Sequence, residues 1–248
     1  MAQSGFKNQF ETLVNRQISI LLGSLGSIFV LLIQAPLIGF FIGIAWQGTQ
    51  PVQSTWFSMV IASVWLGCMN SCCSIVHERP IYERERMFSL NIFSFACSKM
   101  AVFSSIAIIQ TGMMLYTLSF YVHIPTDIPR LFFSIVFLCL TAITSTGLGL
   151  LISSCARTSY GAVMTVPILL IPQVIFSQLM LQDRINDYTP ELISKFTITK
   201  WSYDALVSVG KSLDSFEWGT ISLSMIILVG QAILFLLLTA MKLKLDDK

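Results

Sequence analysis

Charge is scarce in this sequence. Only 11% of its 248 residues are Asp, Glu, Lys or Arg, whereas a soluble domain carries roughly 25%. A formal net charge of +2 builds no strongly basic surface and argues against a nucleic-acid partner. The six cysteines, Cys68, Cys72, Cys73, Cys97, Cys139 and Cys155, fall in or beside apolar stretches, which excludes a disulfide framework. Cys68 and Cys72 share a helix face, but no His, Asp or Glu in that stretch completes a metal-ligand set. They read as small side chains packing a membrane helix. Internal repeats, low-complexity tracts and a separate soluble domain are absent. The polar start MAQSGFKNQFETL shows no cleavable signal sequence.

Apolar residues make up 54% of the chain, and the mean hydropathy is +0.75. This composition defines an integral membrane protein. Six segments reach the roughly 20 apolar residues that a spanning helix needs: 20–45, 55–76, 100–122, 131–154, 160–181 and 219–241. Pro167 and Pro172 predict a bend or break in the fifth. Placing both termini inside puts ten Lys and Arg on the inner side and five on the outer. The positive-inside rule therefore favours cytoplasmic termini. The 182–218 segment is then external, and 77–88 cytoplasmic. Before the first span, Phe6, Phe10, Leu13 and Val14 fall near one helix face while Lys7, Glu11 and Asn15 point elsewhere. Residues 5–17 are thus predicted to form an amphipathic helix along the inner membrane surface.

As drawn, the six spans contain no Asp, Glu, Lys, Arg or His. Ion-coupled transporters and intramembrane hydrolases normally place ionisable groups there, so the sequence offers no catalytic site. Gln34, Asn70, Gln110, Gln173, Gln178 and Gln231 are the uncharged polar candidates. Such groups line a passage or bond between helices, and interhelical bonding is the commoner role. Charge-free spans fit a lipidic or amphipathic cargo. ALVSVGKS, residues 205–212, imitates a phosphate-binding loop. It lacks the glycines that turn backbone N–H groups towards phosphate, and it carries β-branched residues instead.

The chain has 15 basic and 13 acidic residues, and six of these 28 lie in HERPIYERERMF, residues 77–88. They are Glu78, Arg79, Glu83, Arg84, Glu85 and Arg86. As a short helix after Pro80, the stretch would pair Arg79 with Glu83 and Glu83 with Arg86, each worth a few tenths of a kcal/mol. A topology signal alone would favour Lys and Arg, because acidic residues contribute little to it. Interleaved signs suit a docking surface whose register complementary charges set, with Ile81, Tyr82 and Met87 as apolar anchors. On physics alone, a docking site and a solvated loop both stand.

The stretch NSCCSIVHERPIYERERMFSLNIFSFACSK resembles the loop after the second span in ABC transporter permeases of the G subfamily, within the wider type-2 exporter permeases. Glu78, Arg79, Tyr82, Arg84, Glu85, Phe95, Ser98 and Lys99 carry the resemblance, and Asn70 is similar to an Asn upstream in bacterial relatives. Cys73 and Ser74 depart from the Arg-Glu pair common there, and Phe95 stands where Tyr is frequent. Trp201, Ala205 and Leu206 in TKWSYDAL are similar to a feature of the external part before the last span.

The resemblance implies an all-α fold of six transmembrane helices. To these it adds an N-terminal amphipathic connecting helix (5–17), a cytoplasmic coupling helix (78–91) and an external re-entrant segment (182–218). Residues 1–248 would form a single transmembrane domain. It implies a partner cytoplasmic ABC ATPase carrying ATP and Mg, with no cofactor in this chain. A second permease half, here a homodimer, and outward transport by alternating access follow as well. Glu78, Arg79, Tyr82, Glu83, Arg84, Glu85, Arg86 and Arg157, the last in the CARTSYG turn, would couple to the ATPase, and Asn70 and Gln173 would line the substrate pathway. The absence of the external disulfide cysteines of eukaryotic members suggests a bacterial relative and an inner (plasma) membrane location. The alternative reading is a non-catalytic channel or assembly scaffold.

Overall fold

The computed structural model describes residues 6–48, 52–87, 90–123, 127–177, 188–210 and 217–246. Among them, all regular structure is helical. Helix α1 (Phe6–Leu22) ends at Gly23 and Ser24, and α2 (Leu25–Ala45) follows. The sequence had assigned 20–24 to the first span; Gly23 and Ser24 instead separate two helices, as poor interior helix residues can. Next come α3 (Gln53–Ser71), α4 (Ser74–Arg86), α5 (Ile92–Leu118) and α6 (Ile128–Cys155). The chain closes with α7 (Ser159–Ile175), α8 (Tyr188–Lys195), α9 (Ile198–Gly210) and α10 (Trp218–Asp246).

Among the described residues, five helices are long and apolar enough to cross a membrane: α2, the run Gln53–Arg86, α5, α6 and α10. The expected fifth span falls on α7, whose 17 residues are apolar but shorter. Pro167 and Pro172 do not break it: α7 runs through both. Residues 178–181 of that span, with 182–187, 211–216 and 88–89, lie outside the described residues.

The core centres on α3 and α6. A Cβ on Gly67 would strike the Ala142 carbonyl, and one on Gly149 would strike Cys68 and Ser71. These glycines let the two backbones approach closely, as small residues do in membrane bundles. Hydroxyls bond across the seam: Ser71 donates to the Thr146 carbonyl at 2.9 Å, and Ser145 donates to that of Val64. Helix α9 packs into this core, with Ile198, Leu206 and Val209 buried and Tyr203 edge-on to Phe57 at 6.0 Å. The stretch that imitates a phosphate loop is helical through Gly210.

The third span was drawn from residue 100 and held no charge, but α5 begins at Ile92 and places Lys99 inside a membrane-length helix, 2% exposed. The Asn91 side chain caps this start, accepting from the Phe93 and Ser94 N–H groups at 2.9 and 3.3 Å. Lys99 is tolerated because Glu78 of α4 neutralises it.

Candidate coupling site

Helix α4 runs over Ser74–Arg86 rather than the expected 78–91: it starts earlier, and Leu90 and Asn91 lie outside it. The Ser153 hydroxyl of α6 accepts from the Ile75 and Val76 N–H groups at 2.9 and 3.1 Å. It thereby satisfies donors that a helix start leaves free. Pro80 sits inside the helix. With α4 fixed at this end, its mixed charges divide between two faces.

The inward face is a clamp on α1 and α5. Glu78 is 8% exposed and takes Lys99 of α5 on one carboxylate oxygen and Arg16 of α1 on the other, the latter at 3.2 Å. The other arm of Arg16 holds Glu85, about two helix turns further along α4. Gln17 also accepts from Lys99. Tyr82 lies between these pairs, buried, with its ring 4.8 Å from that of Phe95. At the start of α5, the Asn91 N–H donates to Gln9 at 2.9 Å, and the Ser94 hydroxyl donates to the Phe6 carbonyl at 3.2 Å. Helix α1 is therefore tied to α4 and α5 along much of its length.

Arg79 turns the opposite way, to the end of α6. It donates to the Ser154 and Ala156 carbonyls at 2.9 and 3.3 Å and pairs with Asp246 of α10 at 2.9 Å. A cation at the carbonyl end of a helix also opposes the helix dipole. Arg86 closes the turn after α4 by donating to the Leu90 carbonyl.

The outward face presents His77, Ile81, Glu83, Arg84 and Met87, with Met87 83% exposed. Arg157 and Tyr160 are also exposed, at the α6–α7 turn. The eight residues singled out by sequence thus separate. Glu83, Arg84 and Arg157 face outward, while Glu78, Arg79, Tyr82, Glu85 and Arg86 hold α4 to its neighbours. Sequence reasoning missed Arg16, Gln17, Ser153 and Asp246 as partners. Only Arg16 and Asp246 offered a signal, as charges at the edges of apolar helices.

Asn70 and Gln173 are not brought together. Asn70 accepts from Gln34 of α2 at 3.1 Å and donates to Gln110 of α5, the interhelical role. The Gln173 backbone carbonyl accepts from the Thr199 hydroxyl of α9 at 2.9 Å. Gln173 borders a cavity of about 190 Å³ between α3 and α7, with Ile61, Trp65 and Leu170. Ile61 is nine residues from Asn70, about two and a half turns, so the two point to opposite sides of α3.

These features define a helical membrane protein with a charged helix at one end of its bundle. The ABC-2 type transporter family model matches residues 8–209, from α1 through α9, and the chain belongs to that family. It is a permease component of an ABC transporter, a transport part that works with an ABC ATPase. No curated protein matches the chain.

Proposed function

We propose that this chain is the membrane half of an ATP-driven exporter of the G-subfamily type, in which α4 is the coupling helix and α1 the connecting helix. The division of α4 carries the reading. One face is bonded to α1, α5, α6 and α10, and the other is left bare with charges of both signs. A helix so held passes displacement to several spans at once. Its bare face, with Arg157 beside it, offers an ATPase a register-setting surface.

In this reading the end carrying α1 and α4 is cytoplasmic, both termini included, in the inner (plasma) membrane. Two copies pair as a homodimer, and α7 completes a sixth span. Helices α8 and α9 form a re-entrant cap at the outer end; the rest of the 182–218 segment lies largely outside the described residues. ATP and Mg sit on the partner ATPase. Its closure rocks the spans and switches access between the two sides. The α3–α7 face with Ile61, Trp65 and Gln173 lines the pathway for a lipidic or amphipathic substrate, and the absence of charge there supports that class.

Copurification with a separately encoded ABC ATPase, followed by transport in inside-out vesicles, tests the proposal. The pair is expected to accumulate a fluorescent amphiphile only with ATP and Mg, and the chain alone to hydrolyse no ATP. ATP-independent flux would instead indicate a channel.

A further inference from the structure

Helix α2 packs mainly against α5 rather than α3. Its Gly39 and Gly43 sit against the Met114 carbonyl and the Tyr121 ring, both of the α5 end of the bundle, so closely that neither admits a Cβ. Drawn towards α5, α2 leaves a groove on its α3 side. Two cavities lie along α2 on that side, of about 470 and 440 Å³, and their α3 walls share the ridge Met69, Trp65, Ala62 and Ser58, which Asn70 and Ile61 flank from opposite sides. Their α2 walls follow one ridge, Gly26, Val30, Gln34, Ile38 and Ile42, with the four-residue spacing of a helix ridge.

The two ends differ in chemistry. The end beside the α1–α2 junction carries the Gln34 and Asn70 carboxamides and the Ser27 hydroxyl. Asn70 is fixed by Gln34 and Gln110, and Gln110 in turn donates to the Leu31 carbonyl at 2.5 Å. The amides are therefore held in place at the groove wall rather than free to turn. The far end is lined by Ile38, Ile42, Phe57 and Trp65. From Gln34 to Ile42 the groove runs about 12 Å at 1.5 Å per residue. Neither cavity is lined by Asp, Glu, Lys, Arg or His.

We infer that this groove binds a neutral single-chain amphiphile, with a hydroxyl- or amide-bearing headgroup on Gln34 and Asn70 and the first part of its chain along Ile38, Ile42 and Trp65. The gradient selects for this occupant. Each of the Gln34 and Asn70 amides keeps a second N–H and spare lone pairs beyond the bonds above, and a wholly apolar molecule would leave that remaining capacity unmet, which costs free energy in hydrocarbon. An ionic headgroup would lose its hydration with no counter-charge to replace it. The apolar end shares Ile61, Trp65 and Val174 with the α3–α7 cavity. The groove therefore leads into the face assigned above to the pathway, and as a loading site it rests on that reading.

The test is saturable binding of tritiated monoolein to the purified chain in phosphatidylcholine nanodiscs, which needs no ATPase. Wild type is expected to bind monoolein saturably, with lysophosphatidic acid competing at least about tenfold more weakly. Gln34→Leu should weaken binding about tenfold, the worth of one buried hydrogen bond. Ile42→Trp, which fills the chain end, should weaken monoolein but leave the shorter monodecanoin within about twofold. If Gln34→Leu impairs folding, Ile42→Trp and the lipid competition carry the test. Absent saturable binding, equal competition by the anionic lipid, or binding unchanged by both variants overturns the inference. The two readings fail separately: failure of wild type to retain an ATPase overturns the coupling role, and loss of saturable monoolein binding overturns the groove.

Discussion

Lys99 and Glu78 form the buried ion pair on which the α1–α4–α5 junction turns. Removing one partner leaves a charge in a site closed to water, at a cost of about 3–5 kcal/mol. Glu78→Gln is therefore expected to lower the melting temperature in detergent markedly. Glu78→Gln with Lys99→Met should recover most of the loss, because the stranded ammonium is gone. A double variant no better than the single would show that the pair is not the source. The sequence displayed both residues, and the resemblance named both. Their pairing was hidden because 21 positions separate them and only the antiparallel return of the chain brings them together. The Gln34–Asn70–Gln110 chain was half legible: the residues stood out as polar, while their mutual bonds depend on how three helices pack.

Asp204 on α9 makes a pH prediction at the same scale. Burial pushes its carboxyl up from 3.8 to about 6, opposed by nearby Lys200. The folded state thus holds this proton more tightly than the unfolded chain. The charged form costs stability in full above pH 6. That cost falls as pH drops through 6 and vanishes below the ordinary value of 3.8. Asp204→Asn should raise the melting temperature by a few degrees at pH 8 and change it little in strong acid. An equal shift at both ends of the range would rule out this titration.

At the scale of elements, the α3–α6 seam depends on two glycines. Gly67→Val and Gly149→Val would each force the backbones apart, an overpacking cost of about 1–3 kcal/mol or more. Lower melting temperatures and reduced yield are the expected readout. Gly112, which has open space around it, is the control: Gly112→Ala should be neutral or better, since alanine favours the helix. The apolar runs were legible because twenty-residue hydrophobic stretches have few other uses. Their ends were not. The Ser153 hydroxyl sets where α4 starts, and the Asn91 cap sets where α5 starts. The first is a tertiary contact invisible to local pattern. Of the bend or break expected at Pro167 and Pro172, the break is absent, because a membrane helix tolerates prolines whose freed carbonyls find other partners.

For the whole molecule, ion pairs and hydrogen bonds collect Arg16, Arg79, Lys99 and the α10 terminus at one end of the bundle. The class of protein followed from composition, and five of the six expected spans match membrane-length helices while the sixth falls on the shorter α7, but the split of α4 into a clamp face and a bare face was not legible. Charge alternation in HERPIYERERMF looks uniform along the chain. Only the packing of α1, α5 and α6 decides which charges remain free to meet a partner.

That split is tested most directly by comparing ATPase copurification for two double variants. Reversing the bare face, Glu83→Arg with Arg84→Glu, should leave the melting temperature unchanged and reduce the copurified ATPase severalfold. Reversing an internal pair, Arg16→Glu with Glu85→Arg, should retain more ATPase than the bare-face variant while altering stability. Full ATPase recovery with the bare face reversed would contradict the docking role of α4.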